Sequence, residues 1–334
     1  MRDLRGASVV ITGASSGIGQ ATALAFAERG ANLALAARNE EPLKALAEAC
    51  TRLSGEGRTI AVPTDVGDPE AVRRLADRAA ETFGGIDVWV NNAGVGAVGA
   101  FADVPAEAHD RVIATNLLGC MHGAHAALPH FFARRRGVLV NNISFGGWVP
   151  APFAAAYAAS KYGLRGFSES LSAELATEWP DIHVCDVFPS FIDTPGVQHG
   201  ANYTGRRLKP APPVYDPRRV AEAIVRLAQR PRRGTTVGGV AVLAHVAGTV
   251  LPHGLLGWTA ARFMRLYLDR IAEPGPVTDG NLFRPVGPET SVYGGWRSPT
   301  QRTAGMATAG IALAGAAAAA AILFAPRAAA MQRR

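Results

Sequence analysis

Thr12-Gly13-Ala14-Ser15-Ser16-Gly17-Ile18-Gly19 follows a short apolar run, Ser8–Ile11, and passes directly into a helical pattern, Gln20–Arg29. A glycine-rich turn between a strand and a helix lets the backbone approach a pyrophosphate closely. The helix end then offers unpaired N–H groups and the positive end of its dipole. The spacing here is Gly-x3-Gly-x-Gly and not the general Gly-x-Gly-x-x-Gly fingerprint, so the place of the turn between strand and helix carries the weight.

The same alternation continues outward from this turn. Apolar runs at Leu33–Ala37, Ile60–Val62, Val88–Val90, Val138–Val140 and His183–Phe188 are bounded by turn residues. Amphipathic helical stretches lie between them, as at Glu40–Leu53, Pro69–Phe83 and Asp216–Gln229. Strands that read as continuous hydrophobic runs and alternate with helices predict a parallel sheet covered on both faces. The expected class is α/β: a doubly wound parallel sheet, the Rossmann fold, in three α/β/α layers with a helical C-terminal extension. Such sheets bind ligands at the carboxyl ends of their strands, where strand order reverses.

Further along, Ala156–Trp179 predicts one long helix, and Pro189–Pro217 reads as a long loop or partly helical flap. Loops of that length in compact domains are usually functional. Thr236–Val242 suits a last strand, Leu251–Ile271 another apolar helix, and the Gly/Pro-rich Pro274–Pro299 a linker. The chain therefore divides into a nucleotide-binding catalytic domain over residues 1–240, an extension over 241–300 and an apolar helix over 303–326. From Ala304 to Ala325 no charge occurs, with Arg302 before the run and Arg327 after it. The run is long enough to cross a bilayer but is mostly alanine. A tail anchor or weak membrane span, an interfacial or oligomer-packing helix, and a low-complexity tail all remain open for it.

With 48% apolar and only 18% charged residues, the 334-residue chain can bury a sizeable core. The net charge is +7, but the basic residues are scattered, with short clusters such as Arg134–Arg136 and Arg232–Arg233. No basic stripe interleaves with aromatics, which argues against nucleic acid as a partner. Cys50, Cys120 and Cys185 are far apart and fit no metal or redox spacing, as expected of reduced thiols in a cytoplasmic protein. His122, His125 and His130 lack a further ligand that would argue for zinc, so no metal is expected. The first strand starts within ten residues of Met1, which leaves no room for a signal peptide.

Two features speak to chemistry. The second strand ends at Ala37-Arg38, where a carboxylate would bond a ribose 2′-hydroxyl and repel a 2′-phosphate. No acid stands there, and a guanidinium matches phosphate geometry, which favours NADP over NAD. The competing reading is a solvated arginine at a strand end. Second, Tyr157 and Lys161 are four apart on the long predicted helix and share a face. Free tyrosine titrates near ~10, and a neighbouring ammonium favours the phenolate, which suits acid–base work near neutral pH. Ser144 lies just after the fifth long strand, at the carboxyl end where a site belongs, and its hydroxyl can hold a substrate oxygen.

Together these residues resemble the short-chain dehydrogenase/reductase family. The resemblance rests on the Thr12–Gly19 turn, Asn91-Asn92-Ala93-Gly94, Asn116, Ser144, Tyr157-Ala158-Ala159-Ser160-Lys161, and Pro189 and Thr194 flanking Ser190–Asp193. It covers roughly residues 5–240. It implies an NAD(P)-dependent oxidoreductase with Ser144, Tyr157, Lys161 and Asn116 as catalytic residues. Asn116 would anchor a water of a proton relay, and Lys161 would also bind the nicotinamide ribose. Gly13, Ser15, Ser16, Gly17, Ile18, Gly19, Arg38, Asp65, Val66, Asn92, Ala93, Gly94, Tyr157, Lys161, Pro189, Ile192 and Thr194 would bind the cofactor, with Asp65-Val66 at the adenine. It also implies homo-oligomers paired through the helices carrying Asn116–Arg134 and Tyr157–Trp179.

Phe145 to Phe153, beside Ser144, is bulky and apolar and contains no Arg or Lys to hold a carboxylate or phosphate. It suits a hydrophobic carbonyl or secondary alcohol. The Leu251–Ile271 helix and the C-terminal run point the same way, towards a lipid-like substrate. The roughly 90 residues past the family domain could form a lid, an interface or an anchor. The reading of another class is a non-catalytic cofactor-binding regulator or scaffold on the same fold.

Overall fold

The computed structural model describes residues 3–285 and 291–297. β1 (Ser8–Thr12) leads to α1 (Gly17–Ala27), β2 (Asn32–Ala37) to α2 (Glu40–Ser54), and β3 (Thr59–Pro63) to α3 (Pro69–Phe83). After β4 (Val88–Asn91) come a two-residue strand β5 (Ala97–Val98), α4 (Ala106–Ile113), a π-helical turn (Ala114–Leu118) and α5 (Gly119–Arg134). β6 (Gly137–Asn142), α6 (Ala155–Glu178) and β7 (Ile182–Pro189) follow. The flap carries short elements α7 (Gly196–His199) and β8 (Ala201–Asn202) before α8 (Pro217–Gln229) and β9 (Gly234–Val237). Two further helices, α9 (Gly239–Val250) and α10 (His253–Arg270), extend the domain.

Seven strands form one sheet in the order β3-β2-β1-β4-β6-β7-β9, paired in parallel throughout. The chain winds outward from β1 to β3, then returns to β4 on the other side of β1. Strand order reverses there, and the crevice beyond the carboxyl ends of β1 and β4 is the binding position of such a sheet.

Successive strand residues point to opposite faces, and the two cores show it. Val9, Ile11, Leu33, Leu35, Val88 and Val90 pack with Phe26, Leu43 and Ile224 of α1, α2 and α8. Val10, Ala34, Trp89 and Leu139 pack with Leu75, Phe131 and Leu175 of α3, α5 and α6. Local chemistry fixes the helix ends. Asp68 caps α3 by accepting from Glu70 N–H at 2.9 Å, Pro69 opens it, and Gly84 closes it at φ 79°. Asp216 and Pro217 open α8 in the same way.

The structure departs from the sequence expectation at the C-terminal side. The last strand is Gly234–Val237, not Thr236–Val242, because Gly238 turns the chain at φ 101° and α9 begins at once. The valine-rich composition of α9 imitates a strand. Pro274–Pro299 was expected as a linker, yet its described residues pack across the mouth of the sheet. Leu282 is fully buried with Val95, Val112 and Ala201. Among the described residues no helix is long and apolar enough to cross a membrane. The apolar run at 304–325, on which the expectation of a membrane anchor rested, lies outside the described residues.

Asp186, in the middle of β7, is a buried carboxyl with an unusual environment. Burial pushes it up to about 7, and hydrogen bonds from Ser168 and Asn141 only partly oppose this. Between an unfolded value near ~4 and this folded value, the folded state holds the extra proton, so stability falls as pH rises through that window. We predict that Asp186→Asn flattens the loss of melting temperature between pH 5 and pH 8. A variant that keeps the wild-type slope would show that the carboxyl is not its source.

Candidate active site

Close backbone contact shapes the turn after β1. Gly13 and Gly17 adopt φ 63° and 55°. A Cβ on Gly13 would lie 2.7 Å from Ala93 Cα, and one on Gly19 2.0 Å from Gly13 O. Neither position admits a side chain. Asn92 clamps the turn from β4, its Nδ2 donating to Thr12 O (3.0 Å) and Gly13 O (3.1 Å). Thr12 Oγ1 accepts from the Asn92 and Ala93 N–H groups.

This turn forms one wall of a cleft of about 270 Å³. The cleft is lined by Gly13 and Ser15–Gly19 of the turn, Arg38 at the end of β2, Asp65 and Val66 after β3, Asn92–Gly94 after β4, and Thr194 of the flap. The cofactor residues expected from the sequence are thus brought together, apart from Tyr157, Lys161, Pro189 and Ile192, which stand outside the lining. Pro189 ends β7, and Ile192 is buried beside Tyr215. A groove walled by glycines that leave no room for side chains, at a helix N-terminus, fits a dinucleotide.

Arg38 is half-buried and donates to Leu282 O at 2.8 Å and to Asn281 O. Burial and the nearby Arg111 charge hold its pKa below the ordinary arginine value, with Asp65 opposing. Arg111 of α4 pairs with Asp65 and also donates to Leu282 O at 3.0 Å. Burial works to raise the Asp65 pKa, but the Arg111 hydrogen bond, the Gly67 N–H and the charges of Arg111 and Arg38 hold it below the usual value. Arg111, Asn281 and Pro285 were not anticipated. Arg111 joins this end of the cleft through a contact 171 residues away in sequence, which no local pattern reveals.

The other candidates converge beyond β6. Ser144 sits at φ 152°, ψ 161°, and its Oγ accepts from Gly146 N–H at 3.1 Å. A Cβ on Gly146 would lie 3.4 Å from Tyr157 Cε1 and 3.6 Å from Ser144 Oγ, so ring and hydroxyl border the same glycine. One turn along α6, the buried Lys161 places Nζ 5.7 Å from the Tyr157 ring centroid. It donates to Asn142 O at 3.1 Å, and Asn142 lines the nucleotide cleft. The two halves of the site are therefore joined through one residue at the end of β6. Asn142 directly precedes Ile143-Ser144 and was missed, although its place at a strand end was a legible signal.

Asn116 lies in the π-helical turn, fully buried. Its Oδ1 accepts from Val95 N–H (2.8 Å), and its Nδ2 donates to Val95 O (2.9 Å) and Ser160 Oγ (3.2 Å). Ser160 Oγ in turn donates to Tyr157 O at 2.7 Å. Asn116 thus ties the strand-end loop to the turn of α6 that carries Tyr157. Single-turn π segments often mark functional sites. His122, considered earlier for metal, instead lies with a ring nitrogen 2.9 Å from Val66 O.

Comparison with known proteins adds to this geometry. The model of the short chain dehydrogenase family matches residues 7–202, more than half of the chain. The chain belongs to the short chain dehydrogenase family. It is 39% identical over 257 residues to "Uncharacterized oxidoreductase YxnA" of Bacillus subtilis, covering 75% of this chain and 71% of that protein. It is 38% identical to bovine (Bos taurus) "Dehydrogenase/reductase SDR family member 7B", over 57% of this chain and 59% of that protein. Among solved structures, a metagenomic short-chain oxidoreductase in complex with NADP superposes with a TM-score of 0.60 at 29% identity. That match covers 70% of this chain and 97% of the other. As a short chain dehydrogenase, the chain is an oxidoreductase with a nucleotide-binding fold.

Proposed function

We propose that this short chain dehydrogenase uses NADP(H) to interconvert a carbonyl and a secondary alcohol on a hydrophobic substrate. The observation that carries this reading is the meeting of Ser144 and Tyr157 at Gly146, with Lys161 beside the Tyr157 ring and bonded to Asn142 at the edge of a cleft that has an arginine and no acid at the end of β2. NADPH, when bound, supplies the hydride. Tyr157 then donates its phenolic proton to the carbonyl oxygen, or accepts a proton from the alcohol in reverse. Ser144 Oγ orients that oxygen, and Lys161 holds its ammonium beside the Tyr157 ring and against Asn142 O. Asn116 keeps the α6 turn in place through Ser160.

The walls support an apolar substrate. Phe145 meets Phe191 edge-on at 5.1 Å. Trp148 lies between Arg165 at 4.0 Å and His245 at 3.9 Å, so the nearby cation is already engaged by a ring face. Beyond Trp148, α9 and α10 expose Val246, Trp258 and Phe263. Over a homologous series of ketones or alcohols, kcat/KM is expected to rise with chain length, about tenfold for every two methylenes buried. A flat or falling series would contradict the apolar reading and leave the cofactor reading intact.

A further inference from the structure

The stretch after α10 returns to the nucleotide cleft and touches both of its ends. At the Arg38 end, two consecutive backbone carbonyls, Asn281 O and Leu282 O, accept from the two terminal nitrogens of one guanidinium. Leu282 O also accepts from Arg111, whose other arm holds Asp65. At the opposite end, Ser291 O accepts from Gly17 N–H (2.9 Å), Trp296 N–H donates to Asp193 Oδ1 (2.8 Å), and Trp296 Nε1 donates to Thr194 O (3.2 Å). The Leu282 side chain, fully buried in the small core beneath, holds this stretch down. Gly280 allows the tight approach, since a Cβ there would meet His199 O at 2.3 Å.

We propose that residues 279–285, anchored by Leu282, form the outer wall of the subsite for the cofactor's 2′-phosphate, and that their carbonyls together with Arg111 aim the Arg38 guanidinium at it. The proposal rests on the NADP reading above. Selectivity is then set partly by the C-terminal extension and not by the second strand alone. Three physical points support this. An arginine held at both terminal nitrogens has already lost its rotamer freedom and binds at lower entropic cost. The two strap bonds use two of its five donors and fix the plane of the fork. Two guanidinium groups against the single Asp65 carboxylate leave net positive charge at this end, which suits a phosphate and gives a hydroxyl no advantage. Arg111 is a positioning residue in this arrangement, acting through Leu282 O and Asp65.

The test is a pair of fluorescence titrations, NADPH and NADH, on the full chain as wild type, Arg111→Met and Leu282→Ala, with circular dichroism confirming the fold of each. Both variants are expected to weaken NADPH binding by about tenfold and to change NADH binding by less than about threefold. Unchanged NADPH binding, or equal weakening of both cofactors, would overturn the proposal. Should Leu282→Ala fail to fold, Arg111→Met leaves the anchor in place and decides alone. A wild type that prefers NADPH, with variants that keep the preference, defeats the strap assignment only. A wild type without the preference defeats the NADP reading and this proposal together.

Discussion

Replacing Tyr157 by Phe is expected to lower turnover by roughly 10²–10⁴-fold while leaving NADPH affinity within about twofold. The ring borders Gly146 and the neighbouring Ser144 Oγ, with Lys161 Nζ 5.7 Å from its centroid. The substitution removes only the hydroxyl, so the packing of Tyr157 against the small core that contains Leu282 should persist. Steady-state kinetics beside a fluorescence titration separates the two effects. A loss of binding that matched the loss of rate would mean that Tyr157 acts structurally. Unchanged turnover would require another acid–base group. The regulator reading predicts that the protein does not notice the lost hydroxyl in any measured property.

Gly19→Ala is expected to abolish useful affinity for both nicotinamide nucleotides and to destabilise the fold by about 1–3 kcal/mol. An added methyl would stand 2.0 Å from Gly13 O and 2.6 Å from Asn92 Nδ2, so the turn and its clamp cannot both keep their places. Asn92 Nδ2 holds Thr12 O and Gly13 O, and displacing it undoes the turn that forms the cleft wall. Gly166→Ala is the matched control. It lies in α6 with nothing within 4 Å of the added carbon. It should be neutral or stabilising by about 0.5–1 kcal/mol. Thermal melts and titrations of both variants check the pair. Near-normal cofactor binding by Gly19→Ala would contradict the account of the turn.

Much of this was legible in the sequence where the cause is local. Asp68, Pro69 and Gly84 mark both ends of α3, and the predicted span Pro69–Phe83 is the one observed. The Thr12–Gly19 turn and the Tyr157/Lys161 pair were legible because their geometry depends on residues within one or two turns of each other. What was not legible depends on distance in the chain or on competing propensities. Arg38 pointed to a phosphate, but its grip by Asn281 and Leu282 crosses more than 240 residues and obeys no spacing rule. The π-helical turn carries Asn116, whose side chain bonds to Val95 and Ser160, 21 and 44 residues away, partners that no local pattern reveals. Val240 and Val242 gave the start of α9 the composition of a strand, but the turn at Gly238, φ 101°, ends the strand at Val237 and the helix begins at Gly239. The Gly/Pro-rich stretch after α10 read as a linker because its anchors are backbone carbonyls and one leucine, which composition does not distinguish from a free loop.

The central claim is that this cleft binds a phosphorylated nicotinamide nucleotide beside a Ser144–Tyr157–Lys161 catalytic group. Titration of the purified full-length protein with NADPH and, separately, with NADH, followed by nicotinamide fluorescence, tests it most directly. Saturable NADPH binding at least about tenfold tighter than NADH binding is the predicted result. Equal or tighter NADH binding would contradict the role given to Arg38, and binding of neither by the folded protein would contradict the account as a whole.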